Sequence, residues 1–493
     1  MSRTTPRQAP EKSDALIVPE KPANSRVTPE ESVEGRGAAG GILEQGNTGR
    51  SQRREAVLTR LSRVGEKAKG NKEERFNNLL TLLTEPLLEE AYQCLRKDAA
   101  TGVDAVGWCE YGEELETRLK DLEGRIHRGN YHPLPVRRVH IPKGDGRTRP
   151  LGIPALEDKI VQQAVKMILE RIYEPVFLGF SYGFRPGRGQ HDALDALAVA
   201  LGRRVSWVLD GDIRSFFDKI DHGWMQKLIE HRISDRRLVR LLMKWLHAGV
   251  MEEGKLYEVT EGTPQGGVIS PLLANVYLHY VFDLWAQQWR KRHAGGEMYV
   301  VRYADDFVMA FQNEQDARAM RDALAERMTQ FGLELHPDKT RVIRFGAGAI
   351  EEHERDPRAR PETFDFLGFT HLVAKDRVGR PAIRRRTSRK KRKGKLAALR
   401  KLMRGRMHEP EEDQHSWLCS VLRGHYQYYG VPGNYLALRS FRATLERAWL
   451  ARLQRRSQRA CWNETQKARF RARRPLPKPK IHHPWPERRF ALR

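Results

Sequence analysis

The chain has 493 residues, 39% hydrophobic and 31% charged, and its 89 Lys and Arg outnumber its 63 Asp and Glu to leave a formal charge of +26. The length sets a prior of about three domains at ~150 residues each, and so large a positive surplus points to a polyanionic partner, nucleic acid foremost. No apolar run approaches the ~18 residues of a membrane span, no apolar leader opens the chain, and the four cysteines (Cys94, Cys109, Cys419, Cys461) include no CxxC pair, which argues against zinc ribbons and fits a reducing compartment.

Residues 1–70 are rich in Pro, Gly, Ser, Glu and Arg and poor in aromatics, the composition of a mostly disordered extension. A short helix fits residues 53–64, where Ala56, Val57, Leu61 and Val64 can share a face. From Phe76 the apolar pattern is dense. Leu79, Leu80, Leu83, Leu87 and Leu88 suggest amphipathic helix, as do Ile160, Val161, Ala164, Val165, Ile168 and Ile172 within residues 158–174. Val205-Ser-Trp-Val-Leu209 reads as a strand running into Asp210-Gly-Asp212. Met298-Tyr-Val-Val-Arg-Tyr303 and Phe307-Val-Met-Ala-Phe311 read as a hairpin around Ala304-Asp305-Asp306, and residues 314–331 as a helix. Strands and helices thus mix over residues 71–372. Residues 373–460 are basic and helical, and 461–493 form a basic, Pro-rich tail. Residues 384–406 hold 13 Lys or Arg and no acid. A block of like charge is often a solvated linker, but Leu396, Leu399, Leu402 and Met403 recur at helical spacing, as on a helix tracking phosphates.

Asp212 ends one expected strand, and Asp305 and Asp306 occupy the turn of a hairpin. If the strands pair, three carboxylates meet at one sheet edge, where their mutual repulsion is relieved by bound metal. Nucleotidyl transfer uses two divalent ions about 4 Å apart, and Mg²⁺ takes one or two carboxylates plus phosphate oxygens. Asp is also a common turn former, and Tyr-x-Asp-Asp alone is a weak motif. Its setting strengthens it. Asp212-Ile-Arg-Ser-Phe-Phe-Asp-Lys-Ile220 lies upstream, with Gly262-Thr-Pro-Gln-Gly-Gly-Val-Ile-Ser-Pro271 between. Ile141-Pro-Lys-Gly-Asp-Gly-Arg-Thr-Arg-Pro-Leu-Gly-Ile-Pro154 comes before both.

In this order the motifs resemble the polymerase blocks of the reverse transcriptases encoded within group II introns. Ala100-Thr-Gly-Val-Asp-Ala-Val, Tyr131-His-Pro-Leu-Pro-Val-Arg-Arg-Val139 and Ser181-Tyr-Gly-Phe-Arg-Pro-Gly-Arg188 resemble the earlier blocks. Leu335-His-Pro-Asp-Lys-Thr340 and Phe366-Leu-Gly-Phe369 resemble the later ones, and Arg423-Gly-His-Tyr-Gln-Tyr-Tyr-Gly430 the maturase region. The likeness covers roughly residues 75–460. It implies an α+β right-hand polymerase, with fingers and palm over 71–372 and a helical thumb or maturase domain over 373–460.

The resemblance also implies site residues. Asp212, Asp305 and Asp306 match the catalytic, metal-binding positions for two Mg²⁺. Lys143 and Arg149 match basic positions holding the incoming dNTP. Phe216 matches the aromatic that blocks a ribose 2′ hydroxyl, with plain core packing as the alternative reading. Gln265 matches a nucleotide-contacting glutamine, and Leu367, Gly368 and Phe369 match the primer grip. Tyr303 and Ala304 match positions near the primer end. The basic segment with Arg385, Arg389, Lys390, Lys391, Arg392 and Lys393 is the expected RNA track.

The implied activity is RNA-directed DNA polymerisation joined to a maturase role. The implied partners are the parent group II intron RNA, template RNA, a DNA primer or target DNA, and dNTPs, with no membrane. The setting expected is bacterial, cytoplasmic and nucleoid-associated when on DNA. The absence of Cys pairs after residue 460 sets the expectation of no HNH endonuclease and of a primer supplied by the host. Two rival readings are a splicing cofactor that no longer polymerises and a reverse transcriptase recruited to defence or spacer acquisition. The intact aspartates argue against the first and the maturase-like segment against the second.

Overall fold

The computed structural model describes residues 48–142, 148–252, 255–257, 261–263, 266–376, 378–456 and 462–490. Among these, eleven strands follow in chain order: β1 (Val136–Pro142), β2 (Thr148–Ile153), β3 (Trp207–Asp212), β4 (Val250–Glu252), β5 (Lys255–Tyr257), β6 (Met298–Tyr303), β7 (Asp306–Phe311), β8 (Arg341–Arg344), β9 (Phe364–Phe366), β10 (Phe369–Lys375) and β11 (Pro381–Thr387). They form three sheets, ordered β2-β1-β4-β5, β6-β7-β3-β8 and β11-β10-β9. With the helices around them this is the α+β, right-hand polymerase arrangement that the motif order implies.

The sheet holding β3, β6 and β7 is buried on both faces because its strands are apolar at nearly every position. Side-chain alternation divides them. Met298 and Val300 of β6, with Phe307, Met309 and Phe311 of β7, join a core made with the helices Leu156–Tyr173, Ser270–Leu278 and Glu314–Gln330. Tyr299 and Val301, with Val308 and Ala310, face a second core around the helix Gln190–Leu201. A third core belongs to the helices Arg389–Gly405, Glu411–Tyr429 and Tyr435–Gln454, where Leu399, Leu418, Leu422, Phe441, Leu445 and Trp449 meet.

Two expectations are corrected. Disorder does not extend to residue 70: Thr48–Gly70 is one helix, burying Val57, Leu61 and Ala68, and its Arg54 pairs with Glu90 at 3.1 Å. Residues 1–47 lie outside the described residues. The basic segment 384–406 is not one helix, because β11 takes Arg384, Arg385 and Arg386 and the helix begins at Arg389. In the basic, Pro-rich tail, Glu464–Arg473 is helical, Phe470 and Leu476 are buried, and the Tyr426 hydroxyl donates to the Pro477 carbonyl at 3.0 Å. Among the described residues no helix is long and apolar enough to cross a membrane.

One buried side chain ties the two larger cores together. Arg302, on β6, is completely buried and uses all five of its N–H donors. Nε and Nη2 donate to the two carboxylate oxygens of buried Asp283 at 2.7 and 2.5 Å, and Nη2 donates again to Ser181 Oγ at 2.8 Å. Nη1 donates to Asn275 Oδ1 at 3.2 Å and to the Ala304 carbonyl at 3.0 Å. Removing one partner of such a pair strands a charge in the core, at about 3–5 kcal/mol. Arg302→Ala is therefore expected to lower the thermal unfolding midpoint sharply. An apolar double replacement (Arg302→Met with Asp283→Leu) is expected to recover much of it, because no charge is then left unpaired.

Candidate active site

The three carboxylates meet as the strand pattern requires. β3 and β7 run antiparallel with Asp212 opposite Asp306, and β6 and β7 close with Tyr303 opposite Asp306, leaving Ala304 and Asp305 as a two-residue turn. Such a tight hairpin turn demands left-handed backbone, and Ala304 adopts φ +57°. Phe184, Ser215 and Leu367 around the same region also have positive φ. Strain of this kind persists only where the surroundings over-determine it, and it gathers at functional sites.

The carboxyls are crowded. Burial, the neighbouring Asp305 and Asp212, and a hydrogen bond to Asp212 raise the Asp306 pKa to about 7. Burial raises Asp305 as well, while Arg149 and Lys339 oppose the rise. Asp210, two residues before Asp212 on the same strand, is pushed up to about 7, chiefly by burial. Relief comes from Lys339, whose ammonium donates to Asp212 Oδ2. The segment carrying it is held to β3 by backbone bonds from Arg214 to Glu334 (2.9 Å) and from His336 to Asp212 (2.8 Å). The motif 335–340 thus delivers a cation to the first carboxylate.

A cleft of about 1100 Å³ opens from this edge. Asp210, Asp212 and Asp306 line it together with Asp365, Arg389, Lys390 and Lys393. Lined by both carboxylates and cations, it suits a hard divalent ion beside a polyanion. No three His, Cys, Asp or Glu side chains close into a metal-ligand group among the described residues, so an ion here would complete its shell from main chain, water and phosphate oxygens.

The structure brings together some of the residues singled out above and separates others. Arg149 is exposed on β2 and close enough to favour ionised Asp305. Arg389, Lys390, Lys391 and Lys393 are exposed, Arg392 half-buried. Leu367 and Gly368 form the turn between β9 and β10 and are partly accessible, held by the Tyr428 hydroxyl donating to the Leu367 carbonyl at 2.8 Å. Lys143 and Gln265 lie outside the described residues.

Three assignments are corrected. Phe216 is sealed in the core against Phe217 and Tyr277, so its side chain cannot meet a nucleotide; Phe217, next to it, is half-buried. The two rings diverge because residues 216–218 form a short 3₁₀ turn, where successive side chains point apart. Phe369 is fully buried beneath Tyr428 and Tyr429 and supports the grip turn instead of touching a primer. Arg385 is buried and paired with buried Asp195 at 2.7 Å, which takes it out of the RNA track.

Lys339 and Arg302 were not singled out from the sequence. Lys339 stands in a motif that was legible, whereas nothing local marks an interior arginine.

The raised carboxyls carry a pH dependence. A carboxyl whose folded pKa lies above its unfolded value binds more protons in the folded state, so stability falls as pH rises between the two values. Without divalent ions the melting temperature is expected to fall from pH 5 to pH 8. Mg²⁺ is expected to restore more of it at pH 8 than at pH 6, and Asp306→Asn to shrink that difference. Thermal melts across the pH series, with and without Mg²⁺, check this.

Residues 141–371 match the family described as reverse transcriptase (RNA-dependent DNA polymerase). The chain is 37% identical over 316 residues to protein YkfC of Escherichia coli, covering 56% of this chain and 82% of that protein. It is 39% identical over 221 residues to the group II intron-encoded protein LtrA of Lactococcus lactis, covering 44% of this chain and 37% of LtrA. It is 26% identical over 211 residues to nuclear intron maturase 4, mitochondrial, of Arabidopsis thaliana, covering 41% of this chain and 25% of the other. Carrying the carboxylate hairpin inside the matched segment, the chain belongs to the reverse transcriptase and maturase family of group II intron-encoded proteins.

Proposed function

We propose that the protein is an RNA-directed DNA polymerase that also binds its parent group II intron RNA, assists its splicing and copies it into DNA. The observation that carries the polymerase reading is the register of β3 against β7, which sets Asp212 opposite Asp306, next to Asp305, in a cleft that Arg389, Lys390 and Lys393 also line. Asp212, Asp305 and Asp306 would hold two Mg²⁺. Bound there, Mg²⁺ supplies the charge that activates a primer 3′ hydroxyl and steadies the leaving pyrophosphate.

The chain's own residues do the rest. Arg149 binds the triphosphate through charge-assisted hydrogen bonds, and Lys143, matched by the motif resemblance alone, is assigned the same role. Phe217 takes the ribose contact that Phe216 is too deeply buried to make. Leu367 and Gly368 hold the primer backbone at a turn braced by Tyr428. Arg389, Lys390, Lys391 and Lys393 follow nucleic-acid phosphates along one helix.

The test is primer extension with an RNA template, an annealed DNA primer, dNTPs and Mg²⁺. Wild type should yield long cDNA and Asp305→Ala essentially none. Absence of product from a folded, RNA-binding wild type would favour the splicing-cofactor reading. Replacing Arg389, Lys390 and Lys393 together by Ala should weaken RNA binding at all sequences. It should also flatten the dependence of log affinity on log salt by about two to three units, at roughly one for each phosphate no longer neutralised. Unchanged salt dependence would remove this helix from the track.

A further inference from the structure

The segment Ser181–Arg188 runs along the outer edge of β6. Tyr182 donates its backbone N–H to the Arg302 carbonyl, and Arg302 donates its own to Phe180, both at 2.9 Å. Its first half is largely buried: Ser181 is fully buried, Tyr182 nearly so, Gly183 is buried and Arg185 is 6% exposed, while Pro186 and Gly187 are exposed. Phe184 breaks the pattern. It is 46% exposed and sits at φ +57°, where a bulky side chain is costly. Its ring lies 6.5 Å from that of Tyr303, tilted by 45°.

This placement is enforced. Buried Asn275 donates to the Gly183 carbonyl at 2.7 Å while accepting from Arg302, the arginine that also holds the Ala304 carbonyl. Gly183 packs so closely on the catalytic turn that a Cβ there would stand 2.3 Å from the Ala304 nitrogen. Phe184 and the Tyr303–Asp306 turn are therefore one rigid unit.

We propose that Phe184, with Tyr303 beside it, is the platform on which the 3′-terminal nucleotide of the primer rests, a positioning role that depends on the polymerase reading above. Two rings at the β6 side of the turn offer stacking surface to a base or sugar. They do not suit a triphosphate, because the nearby cations face inward: Arg185 is engaged by Glu174 and the Leu178 and Ser181 carbonyls, and Arg188 by the Gly179 carbonyl. Triphosphate-binding charge comes instead from Arg149, on the fingers. The fold itself holds an exposed ring at this costly dihedral, through the Asn275 and Gly183 contacts, and strain kept in this way gathers at functional sites.

The test separates support of the fold from support of the primer. Glycine adopts φ +57° freely, so Phe184→Gly should melt at or above the wild-type temperature. The same variant, and Phe184→Ala, should lower kcat/KM for addition of a single dNTP to an annealed DNA primer on RNA by roughly tenfold, the size of one base–aromatic stack. Phe184→Tyr should retain near-wild-type extension. A primer carrying 2-aminopurine at its 3′ end should change fluorescence on binding wild type and much less on binding Phe184→Ala. Wild-type extension and an unchanged 2-aminopurine response in the Gly and Ala variants would overturn the assignment, as would a fall in activity that only tracks a fall in stability. A wild type that extends no primer would instead refute the polymerase reading and the assignment with it.

Discussion

The structure turns on one guanidinium. Arg302 is completely buried, and a buried charge is tolerated only when paired and fully hydrogen-bonded. Its five donors therefore dictate where their acceptors stand: Asp283, Asn275, Ser181 Oγ and the Ala304 carbonyl. The last is the backbone of the turn that carries Asp305 and Asp306. Carboxylates that must be placed to within a fraction of an ångström are thus anchored by a network that cannot relax piecemeal, because releasing any acceptor leaves charge unpaired in a low-dielectric interior.

The same physics runs with opposite sign a few residues away. Asp212, Asp305 and Asp306 are crowded at one sheet edge with Asp210 behind them, and the folded protein keeps them there against their own repulsion and desolvation. Lys339 and Arg149 offset part of that cost, one from the palm and one from the fingers. A site assembled against such repulsion is poised to take up cations, and the basic residues that line the same cleft are poised to take up phosphates. The +26 charge of the chain acquires a direction here, since Arg389, Lys390 and Lys393 face into the cleft that the aspartates enter.

The helical region after residue 388 is bound into this arrangement by short polar contacts. Buried Asn434 accepts from the Thr387 backbone N–H and donates to the Thr387 hydroxyl and the Tyr429 carbonyl. Tyr428 reaches the grip turn at Leu367. His191 and His483 stack at 3.7 Å, each donating to a carbonyl in the last turn of the helix Glu411–Tyr429. Among the aromatics at the end of that helix, Tyr426 and His425 are buried, while Tyr428 and Tyr429 are partly open.

Whatever depends on local pattern was legible in the sequence. Apolar, β-rich runs marked β6 and β7, the order of short motifs marked the family and the carboxylates, and a charge run with leucines at helical spacing marked the basic helix. These signals are local because a strand or a turn is specified by its own few residues. Packing in three dimensions decided which of two adjacent phenylalanines is sealed, because a 3₁₀ turn and not a strand sets their directions. It also decided that Arg385 pairs with Asp195, 190 positions away, and so leaves the basic track. It placed Lys339 on Asp212, made Arg302 the anchor of the turn and left Phe184 exposed beside Tyr303. Each of these depends on burial and on partners distant in the chain, and no window of sequence contains them.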